Sequence, residues 1–277
     1  MPDTIEAAGQ NESADRNGAA RSDGASLRVA VVVPCYNEEG RLEVDTFIEF
    51  VEERPWLRFV FVNDGSADGT GAVIEAAAQR SGRIRALSLE RNQGKAEAVR
   101  QGILAALEDG PDLVGFWDAD LATPLVDIGD FRRRFEERPE LEIVMGARVR
   151  LLGRQIERHA VRHYVGRVAA SAISVMLGIA VYDTQCGAKL LRTTPRVRAI
   201  FDEPFISRWI FDVEILARWL SASEHDSGEA GRFIVEVPLQ QWIDIAGSKV
   251  RPKDLLGAAR DLWKINRRHR HSLKRRN

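Results

Sequence analysis

The sequence holds only two cysteines, Cys35 and Cys186, far apart and without CxxC spacing. They offer neither a disulfide framework nor a structural zinc site, and they fit a reducing, cytoplasmic setting. Neither has a nearby His to activate a thiolate, so both are expected to be small buried residues. Long apolar runs are also missing: the most apolar stretch, 168–181, covers 14 residues, against the roughly 20 that a membrane-spanning helix requires. Residues 1–26 are rich in Ala, Gly, Ser, Asp and Asn and poor in large apolar side chains. That is neither a signal peptide nor an anchor, and a disordered leader is expected there. A net charge of −1 argues against nucleic acid as a partner. No internal repeat is present.

What is present is 44% hydrophobic residues, ample for a packed core. Short β-branched runs alternate with segments of helical period. Strands are expected at 27–33, 58–62, 84–89 and 113–117, with helices near 44–54, 70–80 and 95–107 between them. This alternation predicts an α/β fold with a parallel sheet. Beyond it, helices are expected over 124–137, toward Gly178, over 210–220 and over 254–266, and strands over 142–147 and 233–237. One domain over 27–266, followed by a basic tail over 267–277, accounts for the pattern.

In open parallel sheets ligands bind beyond the carboxyl ends of the strands. Those ends read Pro34-Cys35-Tyr36-Asn37-Glu38, Asn63-Asp64-Gly65-Ser66, Arg91-Asn92-Gln93-Gly94-Lys95 and Asp118-Ala119-Asp120. Two carboxylates two residues apart at a strand end can address one Mg2+ or Mn2+ held against a diphosphate. They can equally form a turn or a helix cap. Asp64 can accept a hydrogen bond from the imide N–H of uracil or the amino edge of guanine, and Glu38 can serve ribose or base in the same cleft.

In their order and spacing, PCYNEE, VNDGSADGT, RNQGKAEAVRQG and DADLATP resemble the donor half of the family 2 glycosyltransferases. The later segments Gly146-Ala147-Arg148, YDTQCGAKL, RWIFDVE and Trp242 through Lys249 resemble the dolichyl-phosphate β-glucosyltransferase branch. The resemblance implies a nucleotide-diphospho-sugar transferase fold (GT-A, Rossmann-like) with a mostly parallel central sheet, and an inverting, metal-dependent enzyme. Pro34, Tyr36, Glu38 and Asp64 would line the nucleoside pocket, with Lys95 on the donor. Asp118 and Asp120 would place the metal, and Ser248 and Lys249 would close over the phosphates. The related mannose synthases have a metal-contacting Gln two residues after the second Asp; here that residue is Ala122.

The implied acceptor is a lipid monophosphate. Its second ionisation lies near pH 6, so it arrives deprotonated and needs cations more than a base. Arg148, Arg158 and Arg162 match the acceptor-binding arginines of such enzymes, and Arg154, Arg158 and Arg162 are expected on one helical face. Asp183 orients the acceptor or takes a proton, and Trp209 and Asp212 are further acceptor-side candidates. With a hydroxyl acceptor, soluble or on a polysaccharide, Asp183 or Asp212 would instead be the general base.

From Lys249 to Asn277 there are eleven Lys or Arg against Asp254 and Asp261, and Leu255, Leu256, Ala259, Leu262 and Trp263 form an apolar stripe. A basic amphipathic helix of this kind can lie on an anionic membrane. Peripheral attachment to the inner face of the membrane is expected, with core packing as the alternative.

Overall fold

The computed structural model describes residues 26–157, 160–222, 227–243 and 252–274. Its elements run β1 (Val29–Cys35), α1 (Val44–Glu52), β2 (Leu57–Asn63), α2 (Thr70–Arg80), β3 (Ile84–Ser88), α3 (Lys95–Leu107), β4 (Leu113–Trp117) and α4 (Asp127–Glu137). The second half continues with β5 (Ile143–Ala147), β6 (Gln155–Glu157), α5 (Ala160–Leu177), β7 (Ala188–Arg192), α6 (Pro195–Ile200), α7 (Phe211–Ala222), α8 (Ala230–Phe233), β8 (Ile234–Pro238), β9 (Gln241–Ile243) and α9 (Pro252–Lys274). The leader expected over 1–26 lies, except for Ser26, outside the described residues.

Seven strands form one sheet in the order β3-β2-β1-β4-β7-β5-β8. β1 pairs in parallel with both β2 and β4, and β2 with β3. β7 runs antiparallel between β4 and β5. The strand order reverses at β1, which places the crevice between the β1, β2 and β4 carboxyl ends.

Both faces of β1 are covered. Val29, Val31 and Val33 pack with Phe47, Phe59 and Phe61 on one face, while Ala30 and Val32 pack with Val99, Ile103 and Phe116 on the other. The period of two in a β-branched run makes this division. β1 continues through Pro34 to Cys35, two residues past the expected end. Pairing with β4 has already ended at Val32, so Pro34, which lacks an N–H, interrupts no ladder on that side.

Two expectations change. Arg154 precedes the short strand β6, which pairs in parallel with β9, and α5 begins only at Ala160. No helical face therefore carries Arg154 together with Arg162; the partner available to the segment is a strand. α9 extends to Lys274, so the helix takes in the start of the expected basic tail. Its Ile265 is buried and Leu262 packs on the core, whereas Trp263 is 58% exposed. The expected stripe is thus divided between the core and the outer face.

Candidate active site

The loops at the switch point are tied to one another by side chains. Asn37, in the left-handed region at φ 52, donates its N–H to Ser66 Oγ at 3.0 Å and accepts from Ala67 N–H through Oδ1 at 2.9 Å. The Glu38 N–H donates to Thr70 Oγ1 at 2.8 Å, and the Glu38 carboxylate pairs with Arg41. Tyr36 is 36% exposed at this rim, beside Pro34.

Asp64 is buried at the end of the β2 strand. Its carboxylate accepts from Gln93 N–H at 2.7 Å, Gly94 N–H at 2.8 Å and Asn92 Nδ2 at 3.0 Å. It thereby holds the loop that starts α3. Gly94 has φ 97, and a Cβ there would meet Arg208 Nε at 2.5 Å, so glycine alone fits this start.

The next residue, Lys95, reaches across the crevice to Asp118 Oδ1 at 2.5 Å. Burial pulls its ammonium down, but Asp118, Asp212 and Asp120 outweigh that and hold it above the ordinary lysine value. The loop after β4 is a tight turn. The Trp117 indole N–H donates to Thr123 O at 2.9 Å, and the Ala122 N–H donates to Asp120 Oδ1 at 3.1 Å. Leu121 sits at φ 56, a costly conformation for a bulky residue and one that concentrates at functional sites. Burial, then the Asp118 charge, raises the Asp120 carboxyl above its ordinary value.

Among the described residues no three His, Cys, Asp or Glu side chains form a metal cluster. Asp118 and Asp120 supply two carboxylates, a set that suits an ion sharing its coordination with water and substrate phosphates rather than one caged by protein alone.

Next to this pair lies the turn over residues 182–187, whose Gly187 carbonyl accepts the Asp118 N–H. Arg148 follows β5 and pairs with Asp183 in bidentate fashion, Nε to Oδ2 at 2.7 Å and Nη2 to Oδ1 at 2.8 Å, while its backbone N–H donates to Oδ2 at 3.1 Å. Burial disfavours the guanidinium, yet Asp183 outweighs it and raises Arg148 further above its ordinary value. Glu236 on β8 accepts the N–H groups of Tyr182 and Asp183, both at 2.7 Å.

Asp212, in the first turn of α7, faces inward and accepts from Lys189 Nζ at 2.5 Å. Burial raises its carboxyl against the pull of Lys189 and Lys95. Trp209 is 51% exposed on a segment pinned by Arg208, whose Nη2 donates to Asn92 Oδ1 at 2.6 Å.

The fold therefore links Glu38, Lys95, Asp118, Asp120, Arg148, Asp183 and Asp212 through ion pairs and close charges; Pro34 and Tyr36 lie at the end of β1, Asp64 holds the loop before Lys95, and Trp209 follows the Arg208 that binds this loop. Arg158, the Arg162 side chain, Ser248 and Lys249 lie outside the described residues. Sequence reasoning missed Lys189 and Glu236. A lysine in the apolar run Ala188-Lys189-Leu190-Leu191 was the signal for the first; nothing local marks the second. Cys35 and Cys186 are both buried, and burial pushes the Cys186 thiol up to about 11, so neither is a thiolate near neutrality.

The family model for glycosyl transferase family 2 matches residues 30–195. The dolichyl-phosphate β-glucosyltransferase of Dictyostelium discoideum is 32% identical over 88% of this chain and 75% of its own length. That of Mus musculus is 32% identical over 83% and 72%. Among solved structures, glucosyl-3-phosphoglycerate synthase from Mycobacterium tuberculosis, in complex with Mn2+, UDP-glucose and phosphoglyceric acid, superposes with a TM-score of 0.60 at 20% identity, over 90% of this chain and 79% of that one. The chain has the GT-A fold and belongs to glycosyl transferase family 2, within its dolichyl-phosphate β-glucosyltransferase group.

Proposed function

We propose that this glycosyltransferase moves glucose from UDP-glucose to a polyprenyl phosphate of the dolichyl type, with inversion at the anomeric carbon. One observation carries the acceptor assignment: each carboxylate positioned to be a general base is held by a cation, Asp183 by Arg148 and Asp212 by Lys189. A hydroxyl acceptor needs a base to remove its proton, whereas a phosphate arrives ionised. Asp183 fixes the Arg148 fork, and the remaining guanidinium N–H groups take the acceptor oxyanion.

Asp118 and Asp120 are the residues that would hold Mg2+ or Mn2+, and the ion would supply electrostatic stabilisation to a departing diphosphate. Lys95 adds a second cation on that side. Pro34, Tyr36, Glu38 and Asp64 frame the nucleoside, with Asp64 doing so partly through the loop it orders. The names of the relatives supply glucose and dolichyl phosphate, and UDP-glucose is the donor held by the mycobacterial neighbour. A thermal-shift series with Mn2+ tests the donor. UDP-glucose should stabilise the protein and GDP-mannose should not; the reverse order would overturn the assignment.

The outer face of α9 is the proposed contact with the inner, cytoplasmic face of the membrane. Trp263, Asn266, Arg267 and Arg270 line a surface pocket there, with the Arg267 guanidinium 5.5 Å from the Trp263 ring centroid. No helix among the described residues is long and apolar enough to cross a membrane. Cosedimentation with phosphatidylserine vesicles that weakens with salt is the expected result. Equal binding to neutral vesicles would contradict it.

A further inference from the structure

Lys189 has no accessible surface. Its ammonium donates to three oxygens: Thr184 O at 3.0 Å, Cys186 O at 2.7 Å and Asp212 Oδ1 at 2.5 Å. It also lies 5.3 Å from the centroid of the Phe116 ring. Two of these acceptors are backbone carbonyls of one turn, so the lysine reads the path of that turn rather than a single side chain.

The two ends of the turn meet the two halves of the site. At one end Asp183 holds Arg148. At the other, the Gly187 carbonyl accepts the Asp118 N–H at 3.0 Å, and a Cβ on Gly187 would lie 1.8 Å from Asp118 Oδ2. A shift of the turn therefore moves the acceptor cation and the metal carboxylate together. A buried ion pair is weak evidence of stabilisation, since well-packed apolar residues often replace one at no cost. Fixing one geometry for the turn is a use that an apolar pair would not fulfil.

We infer that Lys189 is a positioning residue: through the carbonyls of Thr184 and Cys186 it sets the turn that aligns Arg148 with the metal carboxylates, and Asp212 is its counterion. The inference rests on the reading of Arg148 as the cation that takes the acceptor phosphate. It assigns Asp212 a supporting part and no contact with substrate.

The single variant Lys189→Met strands a buried carboxylate, so the test uses the double variant K189M/D212L, with K189Q/D212N as the conservative comparison. Three quantities are read: thermal stability, amide hydrogen exchange of residues 183–187, and KM for polyprenyl phosphate beside the affinity for UDP without metal. For K189M/D212L the expected result is a folded protein of lowered melting temperature, since the Thr184 and Cys186 carbonyls lose their donor, with faster exchange confined to the turn, an acceptor KM raised about tenfold, and metal-free UDP affinity within about twofold of the parent. K189Q/D212N, which keeps a hydrogen-bond donor, should recover part of the acceptor KM. Unchanged exchange and acceptor KM in a folded K189M/D212L would overturn the inference. If that variant does not fold, K189Q/D212N decides: a raised KM with faster turn exchange supports positioning, and native values of both overturn it. Should the parent enzyme not glycosylate polyprenyl phosphate at all, the acceptor reading fails, while the exchange data still test whether Lys189 holds the turn.

Discussion

Gly187 lies so close to Asp118 that a methyl group on it would sit 1.8 Å from the carboxylate oxygen Oδ2. Its φ lies outside the left-handed region, so the constraint is steric. Gly187→Ala is expected to displace the Asp118 carboxylate and lower Mn2+-dependent UDP affinity by about 10–100-fold, the range found when groups that orient metal ligands are lost. Calorimetric titration with and without Mn2+ measures this. Unchanged Mn2+-dependent affinity would remove Asp118 from the metal set.

Asp120→Ala tests the other carboxylate. The expectation is loss of the metal-dependent part of donor affinity, with metal-free UDP binding retained. Because burial and Asp118 raise the Asp120 carboxyl, protons compete for it at a higher pH than for an ordinary aspartate. Metal affinity should accordingly decline with acidification before an exposed Asp would titrate.

Arg148→Ala removes the proposed acceptor cation. A loss of roughly 10²–10³ in kcat/KM for the acceptor is expected, comparable to deleting one preorganised donor at a reacting oxyanion. UDP-glucose affinity should persist. Asp183→Asn breaks the same buried pair from the other side and is expected to destabilise the fold by about 3 kcal/mol. It should also impair acceptor use by freeing the Arg148 fork, and a conservative Arg148→Lys should not restore bidentate geometry.

His269 tests the docking of α9 on α7. Its Nδ1 lies 3.2 Å from Ser221 Oγ, and Nε2 is buried without a partner. Burial, then the charges of Arg218 and Arg268, lower it from 6.5 to about 4. As pH falls below 6.5, the unfolded chain takes up a proton that the docked histidine refuses. The contribution to stability is therefore complete above that value and is lost progressively toward pH 4. Melting temperatures across this window should fall less steeply in His269→Gln; identical slopes would show that His269 is not the titrating group.

The parallel half of the sheet was legible because its buried strands are short apolar runs stopped by polar residues, as at Val29–Cys35 and Leu57–Asn63. β7 was not, because Lys189 breaks the apolar pattern near its start; the ion pair with Asp212 and the carbonyls of Thr184 and Cys186 make that lysine a core residue. Strand-end residues such as Asp64, Asp118 and Asp120 could be located from position alone. The contacts that build the neighbouring turn could not, because Arg148 and Asp183 are 35 residues apart and Glu236 lies more than 50 residues beyond the amides it accepts from. For α9 the period predicts the helix, but the buried face is chosen by α7: Leu262 turns inward and Trp263 outward.

Parallel reactions with labelled UDP-glucose and Mn2+, one containing polyprenyl phosphate and the other the matching free polyprenol, test the central claim most directly. The arrangement of Arg148 with Asp183 and Lys189 with Asp212 predicts label in the organic phase from the phosphate alone. Efficient transfer to the alcohol, or label appearing only in a water-soluble glucoside, would contradict it.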